Sequence, residues 1–372
     1  MAAAPSDFFK TERTASEIKA ELLPRLFEVW TAAVLQNDNT AETAVRFMDL
    51  QAGLDIGEAA PTAPQVLRQV YKSTGSRTDL NKGVSTILYD VDQPALAELQ
   101  EKVEQLPFYH DLVHPPLTLQ EADDEALAAQ MLEQTTTGLA FLDPTIEGLS
   151  QRVLLQAVQT GIPDLLMLFN PKAFGNTIKR AKADSLWQQL FGERLDKIKA
   201  FYKQNRQADR REEYLLDCFE EIFQSHGFYT LRFRINFPDK KQTSHYVVFG
   251  VKSEQAYLRL KELLARYSDY QEDGVPLFGA NLQVQQLSLF QEHYKYSVTR
   301  LAQELAGSAG RYSNRSLQYI YESHSISTPY TLANYTAAFE KLMKDGLVRF
   351  INPKTGQAIT KLTPVSLIRY KK

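Results

Sequence analysis

The chain has 372 residues, 44% of them hydrophobic and 23% charged, with a formal net charge of -3. These values are ordinary for a globular protein, and the length is too great for one small core, so we expect one large and one small domain. The single cysteine, Cys218, excludes an intramolecular disulfide, and it lies on the apolar face of a predicted helix, where a buried structural role is expected.

The sequence does not indicate a membrane, export or metal function. No stretch approaches the roughly 20 apolar residues of a membrane-spanning helix. Residues 1–7 lack the basic and apolar regions of a signal peptide, so we expect a cytoplasmic protein with no membrane partner. The 6 histidines show no metal-ligand spacing with cysteine or carboxylate, and no metal site is predicted.

Alternating strands and amphipathic helices predict a parallel α/β sheet in the first part of the chain. The first helix is expected over residues 11–36, with Ile18, Leu22 and Trp30 on its apolar face. A short strand is expected around Leu112 and Val113. The other predicted strands are 44–50, 85–90, 138–143 and 164–170, and the helices between them are 64–72, 96–103, 124–134 and 149–159.

After a helical region over residues 183–225, two alternating strands are expected at 229–237 and 244–251. The link between them, Pro-Asp-Lys-Lys-Gln-Thr, is too short for a crossover, so the pair must form an antiparallel hairpin. Five parallel βα units closed by a hairpin is the strand plan of the S-adenosylmethionine methyltransferase sheet. Other doubly wound folds with an antiparallel edge remain alternatives.

The C-terminal region predicts a winged helix. Helical patterns cover 295–307, 314–323 and 331–345, and a hairpin follows them, with its turn at 352–356. In winged helices the third helix enters the major groove and the wing lies along the backbone of the nucleic acid. The alternative is a module that contacts proteins. The predicted nucleic-acid contacts are Asn334, Lys341, Lys344, Lys354 and Lys361.

Charge supports a nucleic-acid partner for this region. Residues 291–372 contain 12 Lys and Arg against 5 Asp and Glu, a net +7, and the rest of the chain therefore carries −10. Basic modules commonly bind nucleic acid, although a basic segment can also merely offset an acidic body. The predicted organisation is an N-terminal helical extension (1–36), a methyltransferase-like Rossmann domain (37–269), a linker (270–294) and a winged-helix domain (295–372).

Two strands end on an aspartate followed by a turn that contains glycine, at residues 45–53 and 139–148. Parallel sheets bind ligands at the carboxyl ends of their strands. In a methyltransferase the loop after the first strand lets the backbone approach the methionine and ribose of S-adenosylmethionine. The residues that fit this cofactor role are Asp49, Ala52, Gly53 and Gly57, with Asp90, and Asp92 as second choice, for the ribose hydroxyls.

The candidate catalytic group is Asp143, which is followed by Pro144. Amino-methyltransferases place a polar group here that accepts hydrogen bonds from the target amine and stabilises its developing positive charge. Each aspartate alone is also consistent with a solvated residue at a strand end. Three of them at the ends of parallel strands are as consistent with a site as with solvated strand ends.

With these motifs, the chain resembles the three-Cys-motif partner protein (TcmP) family over nearly its full length. The resemblance implies a methyltransferase-like Rossmann domain, often found beside a three-Cys-motif partner in mobile or defence loci. The residues that carry it are Phe8-Phe9, the helix from Ile18 to Trp30, Phe47-Met48-Asp49, Gly53, Asp90-Val91-Asp92, Phe141-Leu142-Asp143-Pro144, Phe169-Asn170, Lys179-Arg180, Phe191-Gly192, Tyr330-Thr331, Asn334-Tyr335 and Leu342 to Gly346.

The chain departs from the family pattern at both halves of the expected site. Asp55 stands where the family has the last glycine of its loop, and Gln51 where it has an aromatic residue. Thr145-Ile146 replace an aromatic-glycine pair, and Ala20 replaces a histidine. An acidic Asp55 would repel the carboxylate of the cofactor unless its side chain turns away.

These observations support a methyltransferase-like protein that binds or modifies nucleic acid, with S-adenosylmethionine at the loop after the first strand. The rival is a catalytically silent pseudo-methyltransferase that serves as a DNA- or protein-binding scaffold in a defence complex. A nuclease or effector would need a carboxylate cluster with lysine, which the sequence does not reveal. The expected partners are nucleic acid and a three-Cys-motif or other defence-system protein.

Overall fold

The computed structural model describes residues 5–35, 45–119, 137–282 and 295–371. The chain forms two compact units. The sheet unit comprises Thr11–Phe237 and Gln242–Tyr257, and the C-terminal unit comprises Met1–Lys10, Pro238–Lys241 and Leu258–Lys372. These units do not coincide with the predicted domains, because the first long helix belongs to the sheet unit, whereas Met1–Lys10, Pro238–Lys241 and residues 258–269 belong to the C-terminal unit.

The strands of the sheet unit are β1 (Val45–Asp49), β2 (Val84–Leu88), β3 (Leu117–Thr118), β4 (Gly138–Leu142), β5 (Asp164–Phe169), β6 (Tyr229–Asn236) and β7 (Thr243–Val251). The helices are α1 (Ala15–Val34), α2 (Thr62–Lys72), α3 (Leu80–Gly83), α4 (Gln93–Glu104), α5 (Leu149–Thr160), α6 (Pro171–Arg180), α7 (Leu186–Phe191), α8 (Arg194–Gln204) and α9 (Ala208–Ser225), with a 3-10 helix at Tyr109–Asp111. The next helix, α10 (Glu254–Ala265), begins in the sheet unit, and its residues from Leu258 onward belong to the C-terminal unit.

Within the sheet unit the strand order is β3-β2-β1-β4-β5-β7-β6. The strands β1 to β5 run parallel to their neighbours, and β7 pairs antiparallel with both β5 and β6. The predicted fold class, parallel strands closed by an antiparallel hairpin, is therefore confirmed. The chain order reverses between β1 and β4, so the crevice outside the carboxyl ends of these two strands is where such sheets bind ligands.

The central strands are buried on both faces. Every residue of β4 and β5 is buried, as expected for parallel strands that helices cover on both sides. Met167 of β5, Val153 of α5 and Phe174 of α6 belong to one hydrophobic cluster. At α1, Thr14 and Glu17 form a capping box that satisfies backbone N–H groups at the start of the helix. The sheet thus offers a rigid base for side chains at its edges.

Two predicted elements of the sheet unit differ from the structure. The third strand is Leu117–Thr118 and not the residues around Leu112, because Pro115 and Pro116 precede the strand and do not end it. Proline is tolerated just before a strand, where its missing N–H leaves no ladder bond unmade. The helical region 183–225 consists of α7, α8 and α9, and Gly192, with φ +54°, ends the first of them. The predicted helix 124–134 lies outside the described residues.

The C-terminal unit contains the winged helix. Its helices, after the 3-10 helix Pro5–Lys10, are α11 (Val298–Ala306), α12 (Ala309–Tyr312), α13 (Leu317–His324) and α14 (Leu332–Lys344). Its strands are β8 (Gly279–Ala280), β9 (Arg315–Ser316), β10 (Val348–Ile351), β11 (Ala358–Ile359) and β12 (Leu367–Tyr370). The antiparallel wing sheet has the order β11-β10-β12-β9. The predicted helices and hairpin are confirmed, and β9 and β12 are additions to the prediction.

Candidate functional site

The structure brings three predicted aspartates to one edge of the sheet. Asp49 is the last residue of β1, and Asp90 and Asp143 follow the neighbouring strands β2 and β4 by one or two residues. Backbone bonds continue the ladder beyond Asp49, since the N–H of Tyr89 donates to the carbonyl of Asp49 at 2.9 Å. The sheet edge predicted from the sequence is therefore present, and the contacts of its side chains determine which ligands it can bind.

A buried lysine that the sequence analysis did not select lies at this edge. Lys19 of α1 donates from Nζ to the carbonyl of Gln51 at 2.6 Å and to Asp55 Oδ1 at 3.0 Å. Its Nζ also lies 2.8 Å from Asp49 Oδ2, an ion pair without hydrogen-bond geometry. The sequence signal was available, because Lys19 lies four residues before Leu23 and thus puts a charge on the apolar face of α1.

The cluster of Lys19, Asp49 and Asp55 contains one cation and two carboxylates. Burial lowers the pKa of Lys19, but the two carboxylates outweigh this effect and raise it above its ordinary value. Burial raises the pKa of Asp49 to about 6, against the attraction of Lys19 and with the repulsion of Asp55. Since buried ions are costly unless paired, this cluster holds the loop after β1 firmly to α1.

Asp55 turns away from the expected cofactor position. Its Oδ2 accepts hydrogen bonds from the N–H and the hydroxyl of Thr62, at 2.7 and 2.5 Å, at the start of α2. With Lys19 on its other oxygen, the carboxylate of Asp55 is fully occupied inside the protein and only 1% exposed. The repulsion expected from an acid in this loop is thereby removed, by contacts that also fix the loop.

The backbone N–H groups of the loop are occupied as well. Gln51 donates to Asp49 Oδ1 at 3.1 Å, Ala52 donates to the carbonyl of Tyr89 at 2.9 Å, and Gly53 donates to Asp90 Oδ2 at 2.8 Å. A loop that binds a cofactor through its backbone needs free donors that face the ligand. Here three successive donors bond within the chain.

The two acids after β2 have structural partners. Asp90 Oδ1 accepts from the N–H of Asp92 at 2.9 Å, and Asp92 caps α4 by accepting from Ala95 N at 3.1 Å. A Cβ atom on Gly53 would lie 2.8 Å from the Cβ of Ala95, so internal packing against α4 already requires this glycine. Both acids and the glycine therefore have a role in the fold without any cofactor.

These residues do not fit S-adenosylmethionine in this conformation. Gln51 and Asp90 are each only 7% exposed, Ala52 is 1% exposed, and contacts from α1, α2 and α4 hold the loop. Gly57 is exposed, but nothing lies within 4 Å of the position of its missing Cβ, so no cradle forms there. The cofactor assignment of this loop stays a prediction that the geometry opposes.

Asp143 differs from the other two aspartates. It is half-buried, and its Oδ1 accepts a hydrogen bond from the N–H of Thr145 at 2.7 Å. Burial raises its pKa, and in the described part of the chain no lysine or arginine forms an ion pair with it. Pro144 is buried, and its carbonyl accepts from Gln151 at 3.3 Å. Asp143 is thus the most exposed of these three aspartates, and Thr145 is its hydrogen-bond partner.

A cleft of about 360 Å³ lies at the other end of the sheet, and sequence reasoning did not anticipate it. It adjoins the amino ends of β4 and β5, and Asp164, Lys252 and Gly161 are among its lining residues. Asp164 accepts from Trp30 Nε1 and from Lys252 N, both at 2.8 Å, and burial raises its pKa to about 6. Both oxygens of Asp164 form hydrogen bonds within the chain, so this acid has a structural role: it links α1 to the residue that follows β7.

The predicted nucleic-acid contacts separate into two groups. The structure corrects Asn334, which is buried at 3% exposure: its Oδ1 accepts from Thr331 N at 2.9 Å in a capping box, and its Nδ2 donates to the carbonyl of Gly274 at 2.7 Å. Because both the oxygen and the nitrogen of this amide form hydrogen bonds within the protein, at the start of α14, the side chain is not available to contact a base. The lysines of the predicted set are exposed, namely Lys341, Lys344, Lys354 and Lys361.

None of the helices in the described ranges is long and apolar enough to cross a bilayer. Those ranges also contain no group of three or more His, Cys, Asp or Glu side chains with the proximity to hold a metal ion.

Comparison with known proteins supports the C-terminal unit most directly. Residues 280–355 match the family model described as the GMT-like wHTH domain. No curated protein matches the chain. Among solved structures, one similar chain is the citrinin polyketide synthase CMeT domain, with 13% identity, a TM-score of 0.33, and coverage of 64% of this chain and 55% of that chain. The match thus spans about half of that chain, and its TM-score is too low to add to the strand order observed directly. The protein combines a mostly parallel sheet closed by an antiparallel hairpin with a C-terminal winged-helix domain that is similar to the GMT-like wHTH model.

Proposed function

We propose that this chain is a nucleic-acid-binding protein, in which the winged-helix domain binds and the methyltransferase-like sheet serves as a scaffold that does not bind S-adenosylmethionine. The observation that carries the binding half is the GMT-like winged helix within the part of the chain that has a net charge of +7. Winged helices place their third helix in a groove, and basic side chains beside it neutralise phosphates.

Four exposed lysines are the contacts of this proposal. Lys341 and Lys344 lie in the last turn of α14, and Lys354 lies in the turn between β10 and β11. Lys361 follows β11. If all four neutralise phosphates of a duplex, the logarithm of affinity should fall with the logarithm of salt concentration with a slope of about −3.6.

The scaffold half of the proposal rests on the closed loop after β1. The N–H groups of Gln51, Ala52 and Gly53 donate within the chain, and the ion pairs of Lys19 with Asp49 and Asp55 hold the loop in this conformation. A cofactor in this loop would have to replace these bonds. Each buried hydrogen bond left without a partner costs about 1–3 kcal/mol, so the replacement is strongly unfavourable.

A methyltransferase is the second candidate, and Asp143 is the observation that favours it. Asp143 is half-buried, has no cationic partner among the residues that the structure describes, and precedes a buried Pro144, so it is suited to accept a hydrogen bond from an amine of a base. In this alternative Asp143 and Pro144 form the catalytic edge.

The partner of the proposed scaffold follows from the resemblance to the TcmP family. We propose a three-Cys-motif or other defence-system protein as the partner, and a cytoplasmic role in antiviral defence. Co-purification of the full chain with such a protein from the same locus tests this part, and a chain that purifies alone under the same conditions contradicts it.

The binding half is tested with a fluorescent duplex and the full chain at several salt concentrations. The double variant Lys341→Gln/Lys344→Gln should flatten the salt slope by about 1.8, because two phosphate contacts are lost. The matched control is Lys72→Gln/Lys197→Gln, which removes the same charge from exposed positions of the sheet unit. Equal slopes for wild type and the α14 variant would contradict the assignment.

The scaffold half is tested by calorimetry with S-adenosylmethionine and S-adenosylhomocysteine. No heat of binding is expected at millimolar ligand. A ligand at about 100 times its dissociation constant would stabilise the chain by roughly 2.7 kcal/mol, which a thermal shift detects. Binding that is lost in Asp90→Ala would overturn the scaffold assignment and support the methyltransferase.

A further inference from the structure

A short stretch of the sheet unit carries a concentration of positive charge. Residues 171–211 contain 11 Lys and Arg against 4 Asp and Glu, a net +7, whereas residues 11–170 contain 10 Lys and Arg against 24 Asp and Glu, a net −14. The basic stretch therefore has the same net charge as the winged-helix region in half the length. Solubility requires only a net charge away from zero, so a basic region inside an acidic unit indicates a local role.

The structure brings charged parts of three helices together around Tyr202 of α8. The Nζ of Lys179, near the end of α6, lies 5.4 Å from the centre of the Tyr202 ring. The guanidinium carbon of Arg211, in the first turn of α9, lies 5.6 Å from the same centre. Lys199 of α8 donates to the carbonyl of Ala181, directly after α6, at 2.6 Å. Cations from three helices therefore lie in one region of the sheet unit.

Other exposed cations adjoin these three. Arg180 and Lys182 flank Ala181, and Lys203 follows Lys199 by one turn on the same side of α8. Lys197 lies about 200° around α8 from Lys199 and is therefore not part of this region. The members share a positive charge at the junction of α6, α8 and α9, and we define the basic surface as Lys179, Arg180, Lys182, Lys199, Lys203 and Arg211.

The acids of α9 have partners outside the basic surface. Glu212, next to Arg211, accepts hydrogen bonds from the hydroxyls of Thr243 at 2.6 Å and Tyr246 at 2.7 Å, both on β7. Two further acids of α9 pair with Arg232 of β6. Among the residues that the structure describes, no carboxylate forms an ion pair with a member of the basic surface. Like charges held close together repel, and a bound anion would remove this repulsion.

We propose that the basic surface binds the phosphate backbone of a nucleic-acid duplex without reading its sequence. Lysine and arginine side chains that neutralise phosphates supply affinity that is independent of the bases. Binding of a single strand usually adds stacking of unpaired bases on exposed aromatic rings. Tyr202, the ring that Lys179 and Arg211 contact, is only 7% exposed and offers no face to a base, which favours a duplex.

This inference rests on the proposed function in requiring that the chain binds nucleic acid, but it gives the sheet unit a share of the binding. The four winged-helix lysines and the basic surface belong to different units. Each set can therefore be removed while the other is left intact.

The test uses the full chain with all four winged-helix lysines replaced, Lys341→Gln/Lys344→Gln/Lys354→Gln/Lys361→Gln. We call this chain the parent variant. Fluorescence anisotropy measures its binding to a labelled duplex of about 30 base pairs, and residual binding is expected at about 50 mM salt. Two duplexes of unrelated sequence should bind it equally.

Addition of Arg180→Gln/Lys182→Gln/Lys203→Gln to the parent variant should flatten the remaining salt slope by about 2.7, because three phosphate contacts are lost. The difference in affinity between the two proteins should therefore shrink about 40-fold between about 50 and 200 mM salt. Thermal unfolding checks that each variant is folded. If the triple replacement unfolds the chain, Lys182→Gln/Lys203→Gln should flatten the slope by about 1.8.

The matched control is Lys72→Gln/Arg77→Gln/Lys197→Gln in the same parent variant, which removes one arginine and two lysines from exposed positions elsewhere in the sheet unit. Its salt slope should equal that of the parent variant.

Absence of residual binding by the parent variant, or equal slopes for the test and control variants, would overturn the basic surface. The proposed function then stands if wild type binds the duplex more tightly than the parent variant does. If the parent variant binds as tightly as wild type and the test replacement removes binding, the winged-helix contacts fall and the basic surface stands. If wild type does not bind the duplex, both fall. Binding of the parent variant to vesicles of anionic phospholipid, but not to the duplex, would overturn the choice of partner.

Discussion

Replacement of Lys19 by methionine tests whether the buried ion cluster holds the loop after β1. Lys19→Met keeps the length and apolar stem of the side chain but removes its ammonium. Asp49 and Asp55 then remain buried without a cation, at 0% and 1% exposure. Removal of one partner from a buried ion pair costs about 3–5 kcal/mol. For a domain of this size the melting temperature should fall by roughly 6–20 °C.

The loss of stability in Lys19→Met should depend on pH, and the pKa of Asp49 determines the direction of this dependence. Its pKa in the folded chain is about 6, above the ordinary value of 3.8, because of burial. The folded state therefore holds this proton more tightly than the unfolded state, and the contribution of Asp49 to stability falls as pH rises from 3.8 through 6. Without Lys19 the attraction that lowers this pKa is gone, so the variant should lose most stability at neutral pH and recover part of it on acidification.

The assay is urea unfolding followed by circular dichroism, at about pH 5 and about pH 7.5. The control Lys72→Met removes an exposed lysine from α2 and should change the free energy of unfolding by no more than about 0.5 kcal/mol. Lys19→Met combined with Asp49→Asn and Asp55→Asn should recover at least about half of the loss, because the buried charges are then absent. A loss of less than about 1 kcal/mol, or an equal loss at both pH values, would refute the role of the cluster.

Three further substitutions test single contacts at both candidate sites. Gly53→Ala should cost about 1–3 kcal/mol in urea unfolding, since its Cβ would lie 2.8 Å from Ala95 Cβ, whereas Gly57→Ala, with open space around it, should change little. Asn334→Ala should cost about 1–3 kcal/mol but leave the salt slope of nucleic-acid binding unchanged, in contrast to a true phosphate contact. Asp143→Asn should have a urea midpoint equal to or higher than that of wild type at neutral pH, because burial raises the pKa of this carboxyl. The difference in midpoint should vanish in acid, where the carboxyl of wild type is protonated. A lower midpoint for the variant at neutral pH would contradict this.

The sequence by itself determined most of the elements and the fold class. Periods of apolar residues depend on local geometry, so the strands around Asp49 and Asp143 and the helices of the winged domain could be read directly. The short link between β6 and β7 required a hairpin, and the carboxyl ends of parallel strands had to bring the aspartates to one edge. These inferences needed only neighbours in the chain or rules of topology.

The tertiary structure alone decided how the edge is used. Lys19 reaches Asp49 and Asp55 from a helix 30 or more residues earlier, and no local pattern specifies that three-part contact. Asn334 reads as a surface residue of a recognition helix until its bond to Gly274 is seen. Polar groups in folded chains often bond to partners that are distant in sequence. The sequence can therefore predict which type of residue lies at a site, but not whether that residue is free to bind a ligand.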